Sequence, residues 1–171
     1  MKTKIYYCEW DRAVASHDLL RQTVSRFLGR ESEAFTVCRR EEHGKPFVKE
    51  LPEVHFSISH SGEFWACAIS NAEVGLDLQT CYQGDSEKLA RRFFHPSEVA
   101  WLEEHGFEEF SRMWAYKESY VKYTGIGLRE GLDGFSVVDG LPAVQKEIPF
   151  RFGYRMVLTG ERDMEVEMQM L

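Results

Sequence analysis

The chain has 171 residues, the size of one substantial domain or of two small lobes sharing a core. Its 43% hydrophobic and 29% charged residues exclude a disordered or fibrous protein. The net charge of -7 at pH 7 excludes a general affinity for nucleic acid or anionic membrane, which needs a basic field over much of the surface, while leaving a local anion pocket open.

No apolar run approaches the roughly 18 residues that span a bilayer, and the start, "MKTKIYYCEWDRA", has an acid and aromatics where a signal peptide has a plain apolar stretch. A cytoplasmic location is expected. Cys8, Cys38, Cys67 and Cys81 form no CxxC pair, so they read as reduced, mostly buried thiols rather than a zinc site or disulfide framework.

The opening "KIYYCEW" reads as a strand from its β-favouring aromatics. In "SHDLLRQTVSRFLGR", Leu19, Leu20, Val24, Phe27 and Leu28 recur at helical spacing, with Ser16 as the expected cap and Gly29 as the stop. A polar stretch follows, with one short strand expected over residues 35–38 and a turn at Gly44-Lys45-Pro46. Three strands are expected next, "VHFSISH", "EFWACAIS" and "EVGLDLQ", separated by "SG" and "NA" as hairpin punctuation. Helices follow in "SEKLARRFF", in "PSEVAWLEEHG" with Pro96 at a first helical position, and over residues 107–124 up to Gly125. Strands return in "GFSVVDG", "IPFRFGYRMVL" and "MEVEMQM". The repeated order predicts an α+β fold of two pseudo-symmetric lobes, residues 1–72 and 73–171, sharing no residue-level repeat.

Three places carry candidate chemistry. On the strand "VGLDLQ", Asp77 and Gln79 point the same way while Val74, Leu76 and Leu78 enter the core, giving either a pair of oxygen ligands or the wet face of a half-exposed strand. In "WAYKESYVKYTGIGL", Trp114, Glu118 and Lys122 stand at successive i,i+4 positions with Lys117 one step round, either a working face or a surface pair contributing roughly 0.3–0.5 kcal/mol. In "FSISHSGEFWACAIS", Ser59, His60, Ser61 and Gly62 make a polar corner that suits a phosphate or a plain hairpin turn equally.

In this order and spacing, "HFSISHSG", "VGLDLQ" and "WAYKESYVKYTGIGL", with "HGKP" upstream and "FFHPSEVAWL" between, resemble the 4'-phosphopantetheinyl transferase superfamily over residues 43–136, specifically its longer two-lobed type. The resemblance implies that fold, with the active site between the lobes, and a magnesium-dependent transfer of the phosphopantetheine arm of coenzyme A to a serine of an acyl or peptidyl carrier protein, releasing 3',5'-ADP. It implies Asp77, Gln79 and Glu118 as metal ligands, Lys122 and Lys117 as cations near phosphate or pantetheine, and Glu118 or Glu98 as the base. Gly44, Lys45 and Pro46 would line the adenosine end of coenzyme A, and Ser59 and His60 its 3'-phosphate. Two bare carboxylates about 4 Å apart would repel by roughly 4 kcal/mol at an effective dielectric near 20, which a bound cation removes.

This sequence departs from the family pattern twice. Gln79 stands where many longer members have Glu, which removes one negative charge from the ligand set. The basic stretch between first strand and first helix is also absent, and His17 is the expected weaker, pH-dependent substitute. These departures favour the rival reading, a non-catalytic member that binds coenzyme A or carrier protein, whereas Asp77, Glu118, Lys117 and Lys122 favour the enzyme. Arg91 and Arg92 with Phe93 or Phe94 form the expected carrier-facing patch, which is equally the pattern of a half-buried helix. The two-lobed length leads to the expectation of a monomer.

Overall fold

The computed structural model describes residues 1–31, 36–39, 45–126 and 131–171. The elements in chain order are β1 (Lys2–Glu9), α1 (Ser16–Leu28), β2 (Val37–Arg39), β3 (Pro46–Val48), β4 (His55–Ser61), β5 (Phe64–Ser70), β6 (Val74–Thr80), α2 (Ser86–Phe93), α3 (Pro96–His105), α4 (Phe110–Thr124), β7 (Val144–Glu147), β8 (Tyr154–Gly160) and β9 (Glu165–Met170). Among the described residues, the larger sheet has the order β4-β5-β1-β9, the second β6-β8-β7, and β2 pairs with β3 alone. The fold is α+β, as the sequence predicts.

Two apolar faces of the larger sheet explain the layering. Ile5, Phe64, Ala66 and Ala68 meet Val74, Leu76, Leu78, Met156 and Leu158 of the second sheet. On the opposite face Tyr6, Trp65, Cys67 and Ile69 receive Leu19, Leu20 and Val24 of α1. The strand β5 is therefore buried along its whole length, which is why "FWACAIS" carries no charge. Each large side chain enclosed this way contributes about 1.5–3 kcal/mol. The outer face of the second sheet is covered by α4, whose other side joins Ala90, Phe94, Leu102 and Phe110 in a third apolar cluster with α2 and α3.

Gly75 sets how closely α4 approaches β6. A Cβ there would stand 1.9 Å from the Ser119 carbonyl oxygen and 2.4 Å from the Tyr123 nitrogen, both backbone atoms. Gly75→Ala is expected to push α4 outward, costing about 1–3 kcal/mol as an overpacked contact. Thermal denaturation checks this.

The edges of the two large sheets are joined without a backbone ladder. Ser57, Ser59 and Ser61, alternate residues of β4, accept through Oγ from the backbone N–H of Leu76, Leu78 and Thr80 at 2.9, 3.0 and 3.0 Å. The two-residue period of β4 brings all three hydroxyls to one side, so side chains stand in for strand pairing.

Several local expectations change. The "SG" turn is a hairpin, with Gly62 at φ 56, but "NA" carries the chain from one sheet to the other. The segment "GFSVVDG" is not a strand: Ser136 and Val137 instead bond to side chains of α3. The strand expected from "IPFRFGYRMVL" begins at Tyr154, and the largely exposed β7 went unread because "VQKE" has little apolar alternation. Residue 15, not Ser16, caps α1, and the Ser16 hydroxyl accepts from Trp65 Nε1 at 2.8 Å. All four cysteines are free thiols, but Cys67 alone is fully enclosed. Of the expected two lobes, 1–72 and 73–171, the second contributes β9 to the sheet of the first, parallel to β1.

Candidate active site

Asp77 lies in the middle of β6, where the strand passes beneath α4, and is only 4% exposed. The wet-face reading of this strand fails because α4 covers the side on which Gly75 and Asp77 stand. Asp77 Oδ1 accepts from the Ser59 hydroxyl at 2.9 Å and from Lys122 Nζ at 2.7 Å. Its Oδ2 is buried and has no hydrogen-bond partner among the described residues. A buried carboxylate oxygen left this way is costly unless something positive completes it.

Burial raises the Asp77 carboxyl above its ordinary pKa, against the pull of Lys122 and Ser59. Glu118, half-buried on α4, is raised as well, first by burial and then by the negative charge of Asp77. Glu118 on the helix is thus near enough to Asp77 on the strand for the two carboxylates to repel each other, while Lys122 pairs with Asp77. Gln79, two residues along β6, is half-buried. Among the described residues no group of three or more His, Cys, Asp or Glu side chains is placed to hold a metal ion. Magnesium commonly takes one or two carboxylates and completes its shell with water and substrate phosphate, so the open Asp77 Oδ2 and Glu118 fit it.

Lys122 Nζ also donates to Ser59 Oγ at 3.0 Å. His60 is exposed, and its ring lies 4.9 Å from that of Trp10. The Arg12 guanidinium stands 5.9 Å from the Trp10 ring centre, on a backbone with φ 70, a conformation uncommon outside glycine. Partial burial, then Lys122 and Arg12, hold the His60 imidazole below its usual pKa. Arg12 is a residue the sequence reading missed, since an isolated arginine in a loop carries no motif. The expected His17 instead projects into solvent and meets Asp18 at 3.1 Å.

Glu98 and Lys117 are placed differently. Both are wholly enclosed, with Lys117 Nζ 2.7 Å from Glu98 Oε1 and 2.6 Å from Oε2. Glu98 also accepts from the backbone N–H of Val137 at 2.8 Å and of His95 at 3.0 Å, the latter completing the capping box of α3. Lys117 donates to the Phe135 carbonyl at 2.7 Å and lies 4.1 Å from the centre of that ring. Burial lowers the Lys117 pKa although Glu98 pulls the other way.

Lys45 and Pro46 line a cavity of about 320 Å³ with His55, Glu73 and Tyr123. Lys45 Nζ donates to Glu73 Oε2 at 2.6 Å and to the Val74 carbonyl at 2.7 Å, and His55 Nδ1 lies 2.9 Å from Glu73 Oε1. Gly44 lies outside the described residues. His55 and Ser59 are four positions apart on β4, so the cavity sits roughly 13 Å along the strand from the Asp77 group. On α2, Arg91 pairs with Glu87 and Glu103, both at 2.7 Å, Arg92 lies over Phe93, and Phe94 is buried against Phe110 and unable to form part of a surface patch.

Residues 73–155, which contain Asp77, Glu98, Lys117, Glu118 and Lys122, match the family model described as the 4'-phosphopantetheinyl transferase superfamily. The chain belongs to this superfamily. Among similar superfamily members, the 4'-phosphopantetheinyl transferase Sfp of Bacillus subtilis is 33% identical over 144 residues, 80% of this chain and 62% of the relative. The 4'-phosphopantetheinyl transferase gsp of Aneurinibacillus migulanus is 36% identical over 128 residues, 72% of this chain and 52% of the relative. A further 4'-phosphopantetheinyl transferase of Bacillus subtilis is 39% identical over 101 residues, 57% of this chain and 45% of the relative. The chain thus aligns with about half the length of the superfamily relatives it matches.

Proposed function

We propose that the chain is a magnesium-dependent 4'-phosphopantetheinyl transferase, moving the phosphopantetheine arm of coenzyme A to a serine of an apo acyl or peptidyl carrier protein and releasing 3',5'-ADP. The observation that carries this reading is the buried Asp77 carboxylate with one open oxygen, facing Glu118 and Lys122 within the segment that matches the family. The relatives' names supply the reaction, and the charges of Asp77, Glu118 and Lys122 suit it.

In the proposed reaction the carrier serine Oγ bonds to the phosphorus bearing pantetheine, the bond from that phosphorus to the oxygen of 3',5'-ADP breaks, and the serine proton passes to a carboxylate. Such a transfer asks the protein for alignment and charge stabilisation. Bound magnesium, held by Asp77 and Glu118 with Gln79 as a neutral third donor, would neutralise the diphosphate. Lys122 adds a cation at the same place, and Arg12 and His60 offer donors to the coenzyme A phosphate beyond it. Lys45 and Pro46 offer the neighbouring cavity to the adenosine end. For the base, Glu118 has the raised carboxyl, whereas both oxygens of Glu98 are already occupied; we read Glu98 and Lys117 as a positioning pair.

The same reading places the site along the serine-linked edges of β4 and β6, between two pseudo-symmetric lobes of one monomer in the cytoplasm. Among the described residues no helix is long and apolar enough to cross a membrane. Arg92 and Phe93 remain the proposed carrier-facing part of α2.

Release of 3',5'-ADP, followed by chromatography with coenzyme A, magnesium and an apo carrier protein, tests the reading. Stabilisation by coenzyme A without release would support the non-catalytic rival, which Gln79 and the short N-terminal loop favour. Gln79→Glu adds a negative ligand and is expected to lower several-fold the magnesium concentration giving half-maximal rate; an unchanged or higher requirement would place residue 79 outside the metal shell.

A further inference from the structure

Three serines join β4 to β6, but they are not equivalent. Ser57 Oγ accepts from Leu76 N–H at 2.9 Å, and Ser61 Oγ accepts from Thr80 N–H at 3.0 Å beside the Thr80 hydroxyl. Ser59 Oγ accepts from Leu78 N–H at 3.0 Å, accepts from Lys122 Nζ at 3.0 Å, and gives its proton to Asp77 Oδ1 at 2.9 Å. A hydroxyl has one proton and two lone pairs. In Ser59 all three are used, on groups from two other elements, and the residue is only 5% exposed.

The consequence falls on Asp77. With Ser59 and Lys122 both on Oδ1, the carboxylate is turned so that Oδ2 carries no bond from the described residues and is left as the open ligand. Ser59 also ties Lys122 to the same oxygen, which fixes the cation beside the carboxylate. Its hydroxyl has no proton left for a phosphate.

We infer that Ser59 is a positioning residue, which orients the Asp77 carboxylate and Lys122 so that Oδ2 faces a divalent cation. This rests on the reading of Asp77 and Glu118 as the metal site. It separates Ser59 from Ser57, whose hydroxyl, among the described residues, serves the seam between the sheets alone.

The test uses manganese(II) as the probe, with the full chain and coenzyme A, free manganese being followed by electron paramagnetic resonance. Ser59→Ala is expected to weaken manganese binding about tenfold, the scale on which groups holding a metal ligand act. Ser57→Ala removes a comparable seam bond and is expected to bind manganese as the wild type does, while losing a similar part of its melting temperature. Ser59→Thr, which keeps the hydroxyl, is expected to restore affinity to within about twofold. If Ser59→Ala does not fold, Ser59→Cys, a near-isosteric and poor hydrogen-bond donor, takes its place with the same expected direction. Equal manganese affinity in Ser59→Ala and wild type, or equal weakening in Ser57→Ala, overturns the inference alone. Wild type that binds no manganese with coenzyme A overturns the metal-site reading and this inference with it.

Discussion

Replacing Asp77 by Asn is expected to reduce phosphopantetheine transfer at least about a hundredfold, the range seen when one preorganised electrostatic group is lost, and to leave the fold as stable or more stable. The first effect follows from removing the charge that faces Glu118 and Lys122. The second follows from burial, which raises the Asp77 carboxyl above its ordinary value despite two hydrogen bonds on Oδ1. A group raised on folding favours the folded state most when protonated, so its contribution is full below the unfolded value of 3.8 and is lost as pH rises through the higher folded value. In metal-free buffer the variant's stability advantage should therefore be largest near neutral pH and shrink on acidification. Denaturant titrations of both proteins at several pH values measure this, and a variant markedly weaker at neutral pH would show Asp77 to be a structural acid.

The second large effect concerns the pair beneath the site. Lys117→Met leaves Glu98 charged, enclosed and without its cation, for which the expected loss is about 3–5 kcal/mol. For a chain of this size that is roughly a 10 °C fall in melting temperature. The double variant Glu98→Gln with Lys117→Met has no buried charge left at the pair and should recover more than half of the loss. Kinetics of the double variant then separate two roles. If the pair only fixes α4 against α3 and the segment after residue 130, kcat returns with stability. If Lys117 touches substrate, kcat stays low in a protein that is folded.

Much of the fold was legible because its signals are local. The helical spacing of Leu19, Leu20, Val24 and Leu28 gave α1, and Pro96 with Gly125 bounded the later helices. What failed depended on partners distant in the chain. "NA" looks like a hairpin turn, yet the next strand joins another sheet, because Val74, Leu76 and Leu78 bury against β5 rather than pair beside it. "GFSVVDG" has the composition of a strand, but its polar atoms are claimed by Glu98 and Ser97.

The site shows the same division. Residue types and order pointed to Asp77, Glu118 and Lys122, and the structure brings these together. Nothing in the sequence said that Glu98 and Lys117 would be enclosed with each other, that Ser59 would spend its proton on Asp77, or that Arg12 would stand by Trp10 and His60. Each of those facts comes from which surfaces meet. A motif gives the residues of a reaction, while packing decides which of them reach it.

The most direct test of the central claim is intact-protein mass spectrometry of apo carrier proteins incubated with the chain, coenzyme A and magnesium, beside the Asp77→Asn variant. A gain of one phosphopantetheine on the carrier, dependent on magnesium and lost in the variant, is the result predicted. Carriers that stay unmodified across a panel of fatty acid, polyketide and peptide types, while coenzyme A still raises the melting temperature, would contradict it and leave a binding protein.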